Sequence, residues 1–377
     1  MGSACCASSG NSEKVDNNDR RKPTAPVGEA DKNEKSVGIL YKGADVGQDT
    51  NDSNEKRLIN DDKLKEDTFK AQGDDGYDKL KQKHSLTKKS QPDRDEYQLV
   101  KSFLAKKGYT LDASIGAGNY AEVFKAFNNS QKPVAVKVID LKRATHHYRV
   151  DFLPAEVKLL SAIKHKNIIK MYEISQSANK VYMIMEFAPN GTLADWLKNK
   201  GSFSELTAHQ MFVQILDAIH HMHSQHIAHR DLKLENILLT QKLNPKISDF
   251  SYAVEVPNKD FKSTTFCGSL PYFSPELLQK FPHNPLISDI WSLGVCFFIM
   301  LNDGLPFPLG DDRTMLRKQL AKEWRFRSKV SAKLSTDLLS FIKKMLEPNI
   351  KLRATSAQLM VDPWIQNFSP KVTDKNV

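Results

Sequence analysis

The chain has 377 residues, 55 Lys and Arg against 45 Asp and Glu, a net charge of +10 at neutral pH, and four cysteines. Cys5 and Cys6 are adjacent, Cys267 and Cys296 are scattered, and none stands at a metal-ligand spacing with histidine, so neither a disulfide framework nor a zinc module is expected and a reducing compartment fits. The longest apolar run, 290–301, is well short of the ~20 residues of a bilayer span and reads as a buried core helix, and no secretory signal peptide is expected.

Residues 1–100 carry 18 Lys and Arg against 20 Asp and Glu, which leaves 37 against 25 on residues 101–377. The first segment is polar, poor in aromatics and without a sustained apolar period. It buries too little to offset its chain entropy, so 1–100 is expected to be a disordered tail, with 83–100 as the linker into a folded domain. The basic excess belongs to the folding part. Its Lys and Arg are spread out with no interleaved aromatic stripe, so no nucleic-acid partner is expected. At the start, Met1-Gly2-Ser3-Ala4-Cys5-Cys6 offers Gly2 for myristoylation after loss of Met1, and Cys5 and Cys6 for palmitoylation. One acyl chain anchors only marginally, and the adjacent cysteines would supply the second signal. Cys6 stands where the acylation pattern prefers Ser or Thr. The expected location is cytoplasmic, at the cytoplasmic face of a membrane once acylated.

From Tyr109 the pattern turns strand-like. Runs at 109–116, 121–127 and 133–140 are separated by Gly, Asn and Ser turn signals. A helix follows over 155–163, then strands over 168–174 and 181–187. Beyond Gly191, Phe212, Ile215, Leu216, Ile219 and Met222 recur at helical spacing. Ser202 with Glu205 reads as a capping box ahead of that helix, and helices dominate again from Ile287.

Three motifs carry chemistry. Gly116-Ala117-Gly118-Asn119-Tyr120-Ala121 lies between the first two strands, where glycines let backbone N–H groups approach phosphate oxygens. Val134-Ala135-Val136-Lys137 puts a lysine in an apolar strand, and Glu156, nineteen residues on, can hold it as an ion pair. His229-Arg230-Asp231-Leu232-Lys233-Leu234-Glu235-Asn236, followed by Asp249-Phe250-Ser251, can gather a hydroxyl, a phosphate and a metal ion.

With these residues in place the chain resembles the eukaryotic protein kinases over residues 109–365, with 366–377 as a short C-terminal tail. The resemblance implies an α+β, two-lobe fold, with a β-rich small lobe and a helical large lobe, and ATP and Mg²⁺ as cofactors. It implies that Asp231 is the catalytic base, that Lys233 meets the γ-phosphate, that Glu156 aims Lys137 at the α- and β-phosphates, and that Asn236 and Asp249 hold the metal. The nucleotide site would comprise Ile115, Gly116, Gly118, Val123, Ala135, Lys137, Met185, Glu186, Ala188 and Leu238, with 185–188 as gatekeeper and hinge. Leu160, Met171, His229 and Phe250 would stack as a regulatory column, and Glu276 would pair with Arg353. Asp-Leu-Lys-x-x-Asn resembles the serine/threonine class, so protein substrates with Ser or Thr acceptors are implied. The segments 152–156, 264–269 and 325–329 resemble the testis-specific serine/threonine kinases of the calmodulin-kinase-like group.

Arg230 beside the catalytic Asp usually accompanies control by loop phosphorylation, and Thr265 is the matching acceptor, through an upstream kinase or autophosphorylation. Val254 stands where the family often adds a second base. Ala121 and Ser251 replace glycines of the family pattern. Ser251 is expected to slow the flip between active and inactive loop states. These departures support an alternative reading, a nucleotide-binding pseudokinase scaffold, whereas the full set Lys137, Glu156, Asp231, Asn236 and Asp249 supports an enzyme.

Overall fold

The computed structural model describes residues 94–368, with a strand-rich small lobe ahead of a helical large lobe. The expected tail disorder and the acylation residues Gly2, Cys5 and Cys6 lie outside the described residues.

Five strands, β1 (Tyr109–Ala117), β2 (Ala121–Asn128), β3 (Pro133–Asp140), β4 (Met171–Ser177) and β5 (Lys180–Glu186), form one antiparallel sheet in the order β1-β2-β3-β5-β4. β3 is central, and its side chains alternate between the two faces. Val134, Val136 and Val138 pack with Phe124, Tyr182 and Ile184 on one face. Ala135, Lys137 and Ile139 take the other, which faces the large lobe. The strand expected over 168–174 begins only at Met171; Ile168 makes a single bridge to Ile247 instead.

The linker expected through residue 100 ends early. Residues Arg94–Lys106 form helix α1, which lies on the valine face of the sheet. Val100 and Leu104, one turn apart, are buried there, and Phe103 stacks on Tyr182 with ring centroids 4.1 Å apart. Lys180 pairs with Glu96 of α1 and with Asp140 of β3, which pins the helix across the strand ends. The apolar stripe Tyr97, Val100, Phe103, Leu104 follows the 3–4 spacing of a helix, but averaging over a hundred polar residues hides it. Val100→Ala is expected to cost about 2 kcal/mol of stability, from the buried carbons removed and the cavity left. A change in the urea midpoint too small to measure would make α1 a loose appendage.

Helix α2 (Leu153–Ala162) follows a single π-helical turn, Tyr148–Phe152, with Pro154 in its first turn where no N–H is needed. In the large lobe, α3 (Leu193–Lys200) starts at a capping box of Thr192 and Asp195. Helix α4 (Glu205–Ser224) buries Phe212, Ile215, Leu216, Ile219 and Met222. Its expected cap is corrected. Ser204, not Ser202, receives the Thr207 N–H at 3.2 Å. Glu205 turns inward to accept bonds from Ser335 Oγ (2.5 Å) and Trp364 Nε1 (3.0 Å), because buried donors there need an acceptor. The apolar run lies in α5 (Pro285–Asn302), which is long enough to cross a membrane but is 83% buried within the protein and forms the lobe's central core helix. Phe368, assigned to the C-terminal tail, stacks on His209 at 4.2 Å, so the packed part of the chain runs past residue 366. Cys267 and Cys296 are both free thiols.

Candidate active site

The glycine-rich turn closes through Gly118 N–H donating to Ala121 O at 2.7 Å. A Cβ placed on Gly116 would meet nothing within 4 Å, and one on Gly118 would meet only Ala121 O at 3.6 Å. Packing inside the protein therefore does not demand glycine at either position. Without a side chain, the backbone of this turn stays open to close approach. Across the sheet, Gly116 pairs with Val123, Val123 with Lys137, and Ala135 with Met185, so strand register gathers these five nucleotide-site positions on adjacent strands. Ile115 precedes Gly116 at the β1 irregularity and is half exposed. Glu186 ends β5 and accepts from Lys246 at 2.7 Å, which ties the 185–188 segment to the short hairpin of β6 (Ile237–Leu239) and β7 (Pro245–Ile247), where Leu238 sits. Ala188 follows two residues after the strand and is partly buried.

Lys137 lies 2.6 Å from Glu156 of α2 and 3.0 Å from Asp249. Desolvation alone would lower the Lys137 pKa, but the charges of Asp249 and Glu156 reverse this and hold the ammonium protonated, well above the usual lysine range. Likewise desolvation by the cleft walls would raise Asp249, while the Lys137 charge and the bonds from Ser251 and Lys137 hold its carboxyl well below the usual range. Thus strand, helix and loop deliver one ion cluster to the cleft.

The catalytic loop is held from beneath by Asp289 of α5. Its carboxylate accepts the backbone N–H of His229 at 2.7 Å and of Arg230 at 2.9 Å. Those bonds fix a turn in which Arg230 has φ +63°, a conformation a non-glycine residue keeps only when its surroundings enforce it. The turn lifts Asp231 into the cleft, 6% exposed. Its Oδ2 meets Lys233 Nζ at 2.7 Å and Asn236 Nδ2 at 3.1 Å, and its Oδ1 accepts from Ser269 Oγ at 2.8 Å. Ser269 in turn accepts from Lys233 at 2.9 Å. Gly268 before it has φ +112°, and a Cβ there would stand 2.6 Å from Arg230 O, so only glycine lets this segment close on the catalytic loop.

Asn236 spends its amide N–H on Asp231, which leaves its carbonyl oxygen and the Asp249 carboxylate as hard oxygen donors. That pair suits a small divalent cation whose remaining ligands come from phosphate and water. His229 and Phe250 meet edge to face at 5.2 Å, and Phe250 and Leu160 lie in one apolar cluster against which Met171 packs. Glu276 and Arg353 pair through two parallel bonds of 2.6 and 2.9 Å.

Among the sequence-chosen residues, Lys137, Glu156 and Asp249 meet in one ion cluster, and Asp231, Lys233 and Asn236 in a second set of contacts. Three contributors were not legible in the sequence. Ser269 and Asp289 act through partners about 38 and 60 positions away, and Tyr148 lies in a helical turn that no motif marks. The oxygen-rich, cation-clamped cleft, with the Asp231 carboxylate beside Lys233, can orient a polyphosphate and a hydroxyl in line.

The family model described as protein kinase domain matches residues 109–365. Testis-specific serine/threonine-protein kinase 3 of Homo sapiens is 39% identical over 269 residues, covering 71% of this chain and 99% of that protein. Testis-specific serine/threonine-protein kinase 1 of Mus musculus is 37% identical over 269 residues, covering 70% and 73%. CBL-interacting protein kinase 31 of Oryza sativa subsp. japonica is 32% identical over 271 residues, covering 71% and 60%.

Proposed function

The chain belongs to the protein kinase family and is an ATP-dependent protein serine/threonine kinase; on that premise we propose that it works with Mg²⁺ held by Asn236 and Asp249 and is controlled by phosphorylation at Thr265. The observation that carries the reading is the convergence of Lys137, Glu156 and Asp249 within 3.0 Å contacts, beside Asp231 bonded to Lys233 and Asn236. Asp231 orients the substrate hydroxyl and accepts its proton. Lys233 neutralises charge on the transferring phosphoryl group, while Lys137, kept charged by its carboxylates, holds the other phosphates. The cation supplies further charge neutralisation. Catalysis is positioning and electrostatics rather than covalent chemistry. The test is ATP- and metal-dependent labelling of a generic protein substrate with mapping of the labelled residues. Label on Ser and Thr is expected; label on tyrosine only, or none, would remove the reading and favour the nucleotide-binding scaffold.

Control at Thr265 draws support from one small cavity lined by Arg230, Thr265, Cys267 and His283. Arg230 donates its Nε–H to Tyr252 O at 2.6 Å, which steadies a guanidinium fork suited to phosphate. Val254 adds no cation, so Arg230 carries most of the recognition. Thr265→Ala is expected to lower turnover in enzyme exposed to ATP, read by steady-state kinetics; undiminished turnover would end the control and leave the kinase reading standing. The phosphate on Thr265 comes from an upstream kinase or from the chain itself.

Acylation at Gly2, Cys5 and Cys6 would bring the kinase to the cytoplasmic face of a membrane. Gly2→Ala is expected to move the protein to the soluble fraction, and equal partition of the two forms would sink the idea.

A further inference from the structure

Two hydroxyl groups surround Glu156 beyond the lysine that the family pattern assigns to it. Tyr148, in the π-helical turn that runs into α2, donates to Glu156 Oε2 at 3.2 Å. Ser251 Oγ lies 3.3 Å from the same oxygen, 2.6 Å from Asp249 Oδ1 and 2.9 Å from Lys137 Nζ. Glu156 is 1% exposed, so water cannot replace either partner. The Tyr148 ring is itself buried and packs on Tyr120, with centroids 5.3 Å apart.

Counting donors shows how the load is shared. The Lys137 ammonium has three N–H groups, and three acceptors surround it: Glu156 Oε1, Ser251 Oγ and Asp249 Oδ1. Ser251 has a single proton, and the shorter contact gives it to Asp249. Glu156 Oε2 then depends on the Tyr148 hydroxyl. If that hydroxyl is lost, the serine proton can turn to Oε2, because both acceptors are within its reach. The two hydroxyls are therefore partly interchangeable at this oxygen.

We propose that the Tyr148 and Ser251 hydroxyls are positioning groups for nucleotide-phosphate recognition: together they hold the Glu156 carboxylate in the cleft and so aim Lys137. The proposal rests on the kinase reading above. With neither hydroxyl, Oε2 becomes an unpaired carboxylate oxygen in a closed pocket. The desolvation cost is relieved when α2 moves outward, and that motion takes Glu156 from Lys137. Lys137 is then left to Asp249 alone and no longer points where phosphates arrive. Adenine recognition involves other residues and is untouched.

The test is calorimetric titration of ADP and of adenosine into wild type, Tyr148→Phe, Ser251→Ala and the double variant, in excess EDTA so that no metal takes part. Each single change is expected to weaken ADP by less than about threefold and the double by about tenfold or more, beyond the product of the singles, because interchangeable partners are non-additive. Adenosine affinity stays within about twofold throughout. A double variant no weaker than the product of the singles, or adenosine falling in step with ADP, overturns the proposal. Tyr148→Phe with Ser251→Thr keeps one hydroxyl and covers the case of a double variant that does not fold. It should bind ADP like Tyr148→Phe, and a tenfold loss there is equally fatal. Wild type that binds neither ligand would strike the nucleotide-site reading itself, and this proposal with it.

Discussion

Asp231→Asn is expected to lower turnover by about 10²–10⁴-fold, the usual contribution of a positioned general base, while ATP affinity changes little. The residue is 6% exposed and both oxygens are occupied: Oδ1 by Ser269, Oδ2 by Lys233 and Asn236. All three partners donate. An amide in that place removes the basic oxygen and turns an NH₂ group toward one set of donors, so the side chain both loses its proton affinity and is pushed from its seat. The nucleotide-holding groups Lys137, Glu156 and Asp249 lie on other elements and keep their contacts. The expected pattern is thus a fall in kcat with ATP binding retained, measured by steady-state kinetics and calorimetry. Turnover within a few-fold of wild type would take the proton-accepting role away from Asp231. Parallel loss of ATP binding would mean the change had unseated the whole loop.

The sequence announced the chemistry more clearly than the architecture around it. Residues of the cleft stand in short motifs because each motif is a local turn or loop that aims several groups at once: one turn carries Asp231, Lys233 and Asn236, and the loop after β7 carries Asp249 and Ser251. The order of β-prone runs bounded by turn signals, then apolar residues at helical spacing, was legible in the chain, and the two-lobe fold came from the resemblance. Contacts between remote segments were not legible. Ser269 reaches Asp231 only because Gly268 permits a close approach to Arg230 O, and Asp289 reaches the catalytic loop from the middle of a core helix. Ser251 looked like a departure that would slow a loop flip, yet its hydroxyl makes three contacts within the ion cluster. Helix α1 was missed because a four-residue apolar stripe lies at the end of a long polar stretch. The capping box at Ser202 was misplaced by two residues because a sequence pattern cannot tell an acid that caps from one that faces a buried tryptophan.

Arg353→Leu is expected to cost about 3–5 kcal/mol near neutral pH, the penalty for leaving the other half of a buried ion pair alone. Glu276, at the start of the short helix Pro275–Leu278, is 5% exposed and Arg353 3%. The guanidinium makes both bonds to the carboxylate, donates its Nε–H to Glu347 O at 2.8 Å, and lies over the Trp291 ring at 5.0 Å. Ser288 Oγ adds 2.9 Å to the same carboxylate. Burial alone would raise Glu276, and the Arg353 bonds and charge bring it below the usual carboxylate range. In wild type the stabilisation from this depressed pKa is therefore present above the unfolded carboxylate value and lost as pH falls through the folded one. Without Arg353 the desolvation is unopposed, and Glu276 is raised instead. Protonation then relieves the variant, so its deficit against wild type is largest near pH 7 and shrinks by about pH 5. Glu276→Leu added to Arg353→Leu should restore much of the loss, since two apolar groups leave no charge to solvate. Urea unfolding of the three proteins at both pH values separates the causes. A deficit independent of pH and unrelieved by the second substitution would mean that Arg353 stabilises through its packing on Trp291 and its backbone bonds, and that the ion pair only fixes where the helix Pro275–Leu278 sits.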